Sequence, residues 1–190
     1  FKNSIAIDTE ATGLQIPERD KLSLIQICDE KSNVFIIQPN KKNYRAPNLT
    51  SVLENQNILK IGHFLRFDKS ALEFFLKCKI KNIFDTKIAS KIVRTYTDAH
   101  GLKNLVQEFC NKNIDKRYGS SDWNKDIDKL SDKQLEYAAN DVIYLHKIKS
   151  ELEGMLTREK RMDIFKKCLT FLDTRVELDQ KGFKEDIFEH

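Results

Sequence analysis

Between Ser4 and Ile37 the chain reads Ser4-Ile5-Ala6-Ile7-Asp8, then Leu22-Ser23-Leu24-Ile25-Gln26-Ile27-Cys28, then Val34-Phe35-Ile36-Ile37. Each run is short and rich in apolar or β-branched residues, and polar segments of turn length separate them, which is the pattern of neighbouring strands. Paired in chain order they form an antiparallel meander. Residues 58–61 and 83–84 are further short apolar runs, each followed by a helical pattern, over residues 65–77 and 86–93. Strands alternating with helices add to a sheet in parallel, so the expected fold is α/β, a mixed sheet flanked by helices.

Beyond Gly101 the periodicity turns helical. Leu102, Leu105, Val106 and Phe109 form one stripe, and Leu135, Ala138, Val142, Leu145 and Ile148 form another. Ser131 followed by Gln134 reads as a capping box at the start of the second stripe. A last amphipathic segment carries Ile164, Phe165, Cys168, Leu169 and Leu172 against a face of Lys and Arg. The polar stretches are residues 38–48 and 111–126, and the second is long enough to be a functional loop.

The 190 residues, 40% of them hydrophobic, suit a single domain spanning 1–190, with about 155–190 as a C-terminal helical extension packed on it. Lys and Arg outnumber Asp and Glu by 33 to 29, a formal charge of +4, which mildly favours a polyanionic partner. Cys28, Cys78, Cys110 and Cys168 form no CxxC pair or zinc pattern, so free core thiols in a reducing cytoplasm are expected. No stretch has the length of a membrane span, and the opening residues lead into a strand rather than a secretory signal. The start at Phe1 implies that a few native residues precede it.

Four carboxylates fall on faces that would otherwise be apolar. Strand alternation puts Asp8 and Glu10 on one side and Ile5, Ile7 and Thr9 on the other. Asp68 shares helical spacing with Phe64, Ala71, Leu72 and Phe75, and Asp141 lies between Tyr137 and Leu145, four residues away on either side. Singly, each acid has an ordinary structural role open to it: a helix start for Asp68, an ion pair for Asp141, a turn entry for Asp8 and Glu10. Together they offer only oxygen ligands, which suit two hard divalent cations, Mg²⁺ or Mn²⁺. Such a pair about 4 Å apart serves phosphodiester cleavage.

Three ordered motifs, Asp8-Thr9-Glu10-Ala11-Thr12-Gly13-Leu14, His63-Phe64-Leu65-Arg66-Phe67-Asp68 and Tyr137-Ala138-Ala139-Asn140-Asp141-Val142, resemble those of the DEDD 3′ to 5′ exonucleases. The match is to the ribonuclease D-like branch with a tyrosine in the third motif; the histidine-branch position is occupied by Glu136. Ser121-Asp122-Trp123 and the segment from Leu130 to Leu135 are similar to the lead-in to that motif in ribonuclease D proteins. The resemblance implies a ribonuclease H-like fold and stepwise hydrolysis of single-stranded RNA from a free 3′ hydroxyl, releasing nucleoside 5′-monophosphates. It implies that Asp8 bridges both metals, that Glu10 and Asp141 complete one site, that Asp68 holds the second largely through water, and that Tyr137 orients the attacking water.

The same resemblance implies that the backbone of Thr9, Ala11 and Gly13 meets the 3′ end and that Leu14 wedges against the terminal base, although closing a turn is the alternative for Leu14. His63 and Phe64 fall in the second motif, where relatives that proofread carry Asn in place of Phe64. Phe64 therefore either packs near a base or fills the core, with core filling favoured. Trp123, in a polar loop near Arg117 and Tyr118, suits base stacking or a loop anchor. Lys112, Lys116 and Arg117 suit a path for the incoming strand, while Asp85 with Thr86 suits a helix cap. The rival functions are a DNA exonuclease of the same mechanism and an inactive nucleic-acid-binding relative.

Overall fold

A computed structural model describes residues 1–190 except 14, 16–19, 116, 120, 184, 186 and 188–190. Five strands form one sheet in the order β3-β2-β1-β4-β5: β1 (Ser4–Ala11), β2 (Leu22–Asp29), β3 (Val34–Ile37), β4 (Leu59–Gly62) and β5 (Ile83–Asp85). The first three are an antiparallel meander, and β4 and β5 add in parallel beside β1. This is the mixed sheet of a ribonuclease H-like fold. The central β1 runs past Asp8 to Ala11, with an irregularity in its pairing to β2 between Glu10 and Ala11. A break of this kind is a common means of re-aiming side chains at a strand end.

Alternation along β1 sends its side chains into two cores. On one side Ile5 and Ile7 join Ile25 and Ile27 against α1 (Pro47–Glu54), α2 (Arg66–Leu76) and α7 (Met162–Gln180). On the other, Ala6 and Cys28 pack with α3 (Thr86–Val93), α4 (Leu102–Cys110), α5 (Asp132–Ile143) and α6 (Leu145–Arg158). The C-terminal α7 lies on α2 and places Leu172 and Val176 in the first core. Asp179 of α7 accepts two hydrogen bonds of 2.7 Å from the Arg66 guanidinium at the start of α2, a bidentate pairing of the strong, charge-assisted kind.

Several local features have simple causes. Ser131 and Gln134 form the expected capping box. Asp85 caps α3 by accepting from the backbone N–H groups of Lys87 and Ile88, and it also accepts from those of Phe64 and Leu65. One buried carboxylate thus joins the turn before α2 to the start of α3. The stripe from Leu135 to Ile148 is divided between α5 and α6 at Tyr144 rather than being continuous. Helix α1 begins at Pro47 with no side-chain cap and buries only Leu49 and Leu53, a weak signal that periodicity did not reveal. All four cysteines are free, and burial pushes the thiols of Cys28 and Cys78 up to about 11. Among the described residues no helix is long and apolar enough to cross a membrane.

Candidate active site

Asp8 and Glu10 project from the end of β1 toward α5, which packs across β1, β2 and β3. That helix is amphipathic, with Ala138, Asp141 and Val142 buried along the face it turns to the sheet. Asp141 is thereby carried to β1: carboxylate oxygens of Asp8, Glu10 and Asp141 all lie within 4.8 Å of one another. Asp141 is only 5% exposed. Three acids so close, with Asp141 almost wholly buried, repel each other unless a cation or protons compensate them. Their all-oxygen donor set fits a hard divalent cation of the Mg²⁺ or Mn²⁺ type.

Tyr137 lies one helical turn before Asp141 and hydrogen-bonds to it. Desolvation first, and then the charges of Asp141, Glu10 and Asp8, raise the Tyr137 hydroxyl far above its ordinary range. The side chain is therefore held as a neutral phenol, able to donate a hydrogen bond but not to act as a base near neutrality. Its ring lies 6.1 Å, centroid to centroid, from that of Trp123. Trp123 is 3% exposed, packs with Leu24, Leu130 and Ala138, and donates from Nε1 to the Gly119 carbonyl at 3.3 Å. The stacking role suggested for Trp123 is thus corrected: its faces are covered by protein, and the residue is an anchor for the loop and a backing for Tyr137.

Asp68 does not join the trio. It sits in the first turn of α2, 6% exposed, and accepts a hydrogen bond from Thr9 Oγ1. Burial pushes its carboxyl up to about 7, and the charge of nearby Asp85 acts in the same direction. Thr9 therefore spends its side chain on Asp68. His63 Nδ1 lies 2.9 Å from Thr86 Oγ1, whose hydroxyl donates to the Gly62 carbonyl; with that proton committed, Nδ1 is the donor.

Phe64 departs from the core-filling expectation. It is 47% exposed, adopts a left-handed φ of 66°, and carries Lys87 Nζ 4.0 Å from its ring centroid. In the turn tied down by Asp85 the ring is about half exposed, beside the second motif. Ala11 ends β1 as expected. At Gly13 a Cβ would come within 2.4 Å of the Asp20 carboxylate, so this glycine makes room for Asp20 as well as for any chain end. Leu14 and Lys116 lie outside the described residues. Arg117 pairs with Asp115 at 2.6 Å, and an open cavity of about 200 Å³ beside Tyr137 is lined by Asn113, Arg117, Tyr118, Lys133 and Asn140 among others.

The sequence reading passed over Gln26. It lies directly across from Asp8 in the β1–β2 register and is completely buried. A lone amide in the apolar run Leu24-Ile25-Gln26-Ile27-Cys28, on the parity that faces Asp8, was the available signal.

The family model described as 3′–5′ exonuclease matches residues 1–157. DNA polymerase I of Aquifex aeolicus is 35% identical over 152 residues, covering 79% of this chain and 24% of that protein. Ribonuclease D of a Shewanella species is 32% identical over 147 residues, 75% of this chain and 35% of that protein. The chain therefore spans about a quarter to a third of these curated relatives. Brucella melitensis NrnC, solved bound to pGG, is 44% identical, with a TM-score of 0.92 over 99% of this chain and 90% of that one. The same protein has been solved with bound Mg²⁺, where the TM-score is 0.91.

Proposed function

The chain belongs to the 3′–5′ exonuclease family, and from that premise we propose that it hydrolyses single-stranded RNA from a free 3′ hydroxyl end, releasing nucleoside 5′-monophosphates. The observation that carries this reading is the trio Asp8, Glu10 and Asp141 with the Tyr137 phenol one turn away. Asp8, Glu10 and Asp141 would hold one divalent cation, and Asp8 with Asp68 would serve a second. Bound cations of this kind supply an activated water nucleophile and charge stabilisation at the leaving oxygen. Tyr137, kept protonated by its burial and by the acids around it, orients the attacking water by donating a hydrogen bond. The first-motif backbone at Thr9, Ala11 and Gly13, together with Leu14, receives the 3′-terminal nucleotide.

Ribonuclease D relatives support an RNA substrate, and NrnC bound to pGG supports a short oligonucleotide bearing a 5′ phosphate. The open cavity beside Tyr137, with Arg117 and Lys133 in its lining, suits the phosphate of a second nucleotide. The Aquifex aeolicus DNA polymerase I match favours a second reading, a DNA exonuclease working through the same carboxylates. The four free cysteines suit a reducing cytoplasm as its location.

The test uses 5′-labelled RNA and DNA of one sequence, each ending in a 3′ hydroxyl or a 3′ phosphate, with Mg²⁺ or Mn²⁺. The expected result is a ladder shortening from the 3′ end on hydroxyl-ended RNA, and none with Asp8→Asn. Faster digestion of DNA establishes the second reading. Internal cuts in circular RNA, or full activity of a folded Asp8→Asn protein, overturn both.

A further inference from the structure

Gln26 occupies the middle of β2, with Asp8 as its register partner on β1 and Ile36 as its partner on β3. Residues directly opposite in an antiparallel pair project from the same face, with Cβ atoms about 4.5–5.5 Å apart. Its neighbours at the same parity agree: Leu24 packs with Trp123 and Ala138, and Cys28 lies in the cluster that contains Val142. The Gln26 side chain therefore lies under α5, on the face that carries the carboxylate trio and beside its central member.

Gln26 is 0% exposed, and among the described residues neither Nε2 nor Oε1 has a hydrogen-bond partner. A buried amide in that condition is destabilising, because it has given up its hydration with no hydrogen bond in return. Strand geometry gives no reason to carry the cost, because an apolar side chain of similar volume would fill the position and satisfy β2 as well. The cost is intelligible if the amide has a partner in another state of the protein. The polar groups at hand are the carboxylates of Asp8, Glu10 and Asp141, whose oxygens lie within 4.8 Å of one another and whose charge balance a bound cation would change.

We infer that Gln26 is a positioning residue for the cation site: its Nε2 would donate to the carboxylate of Asp8, its register partner, and hold that carboxylate in place when a cation is bound. The inference rests on the two-metal reading above. Carboxylate ligands are commonly held by such outer hydrogen bonds, and losing one costs about 10–100-fold in metal affinity or activity.

Gln26→Met, which keeps length and volume, and Gln26→Leu test this. Thermal unfolding in chelator measures each fold without metal, and calorimetric Mn²⁺ titration measures the site. Because the amide is an unpartnered burden without metal, both variants should melt at or above the wild-type temperature while binding Mn²⁺ about 10–100-fold more weakly. Wild-type Mn²⁺ affinity in either folded variant overturns the inference and leaves the metal reading standing, as expected if Gln26 merely holds a buried water. Failure of the wild-type protein to bind Mn²⁺, or undiminished binding by Asp8→Asn, overturns the metal reading and the inference with it.

Discussion

Thr9 Oγ1 donates a hydrogen bond of 2.5 Å to Asp68 Oδ1, and it does so from the face of β1 opposite Asp8 and Glu10. Thr9 thus ties Asp68, at the start of α2, to the strand residue that lies between Asp8 and Glu10. Replacing Thr9 with Val keeps the β-branched shape and removes the donor, leaving a buried carboxyl short of a partner. Urea unfolding of metal-free protein should show a loss of about 1–3 kcal/mol. An unchanged midpoint would mean that Asp68 turns to another donor.

The position of Asp68 has a pH consequence. Burial lifts its carboxyl from 3.8 to about 7, so the folded state holds the proton more tightly than the unfolded chain. Its contribution to stability is then full below about pH 4 and is lost as pH rises through about 7. In chelator, wild-type stability should fall across that interval, and Asp68→Asn should flatten the slope. Asp85, whose carboxyl burial also raises, contributes a slope of the same sign in both proteins. Urea midpoints at a series of pH values, read for both proteins, decide it.

Tyr137→Phe preserves the ring that packs beside Trp123 and removes only the phenol. Turnover should fall about 10²-fold, the lower end for a positioned proton-handling group, while calorimetric Mn²⁺ affinity stays near wild type. Loss of Mn²⁺ binding as severe as that of Asp141→Asn would show that Tyr137 acts on the cation rather than on the water.

Trp123 is buried against Leu24, Leu130 and Ala138, so Trp123→Ala should cost about 3–5 kcal/mol. It should also lower activity by loosening Tyr137. Trp123→Phe should recover most of the stability and the turnover. As the only tryptophan in the chain, Trp123 gives a direct fluorescence readout, and little quenching on adding RNA is expected from a covered ring. Strong quenching would restore the stacking role.

Phe64 is an exposed aromatic ring beside the second motif, with Lys87 over it. Phe64→Ala should leave folding within about 0.5 kcal/mol of wild type, as for other surface changes. If the ring stacks on a base, KM for RNA should rise about 5-fold or more at unchanged kcat, since such stacking is worth about 1–3 kcal/mol. Unchanged KM and kcat would remove Phe64 from the substrate path.

Short-range physics was legible in the residue order alone. Short apolar runs at residues 4–8, 22–28 and 34–37 specified the meander, strand alternation put Asp8 and Glu10 on one side of β1, and Ser131 with Gln134 and Asp85 with Thr86 announced two helix starts. The three motifs carried the family resemblance because they are contiguous. What the sequence could not decide was which surfaces meet. Asp141 reaches Asp8 and Glu10 because α5 crosses the meander, while Asp68, equally acidic, is held by the Thr9 hydroxyl. Trp123 is covered and Phe64 exposed, the reverse of what their polar-loop and apolar-helix settings suggested, because burial depends on elements distant in the chain that arrive to cover a ring. Gln26 looked like one polar residue in an apolar strand until its register with Asp8 placed its unpartnered amide beside the carboxylates. Strand and helix periods act over a few residues, but the pairing of charges and the burial of aromatic rings are set by long-range packing, which only the folded chain defines.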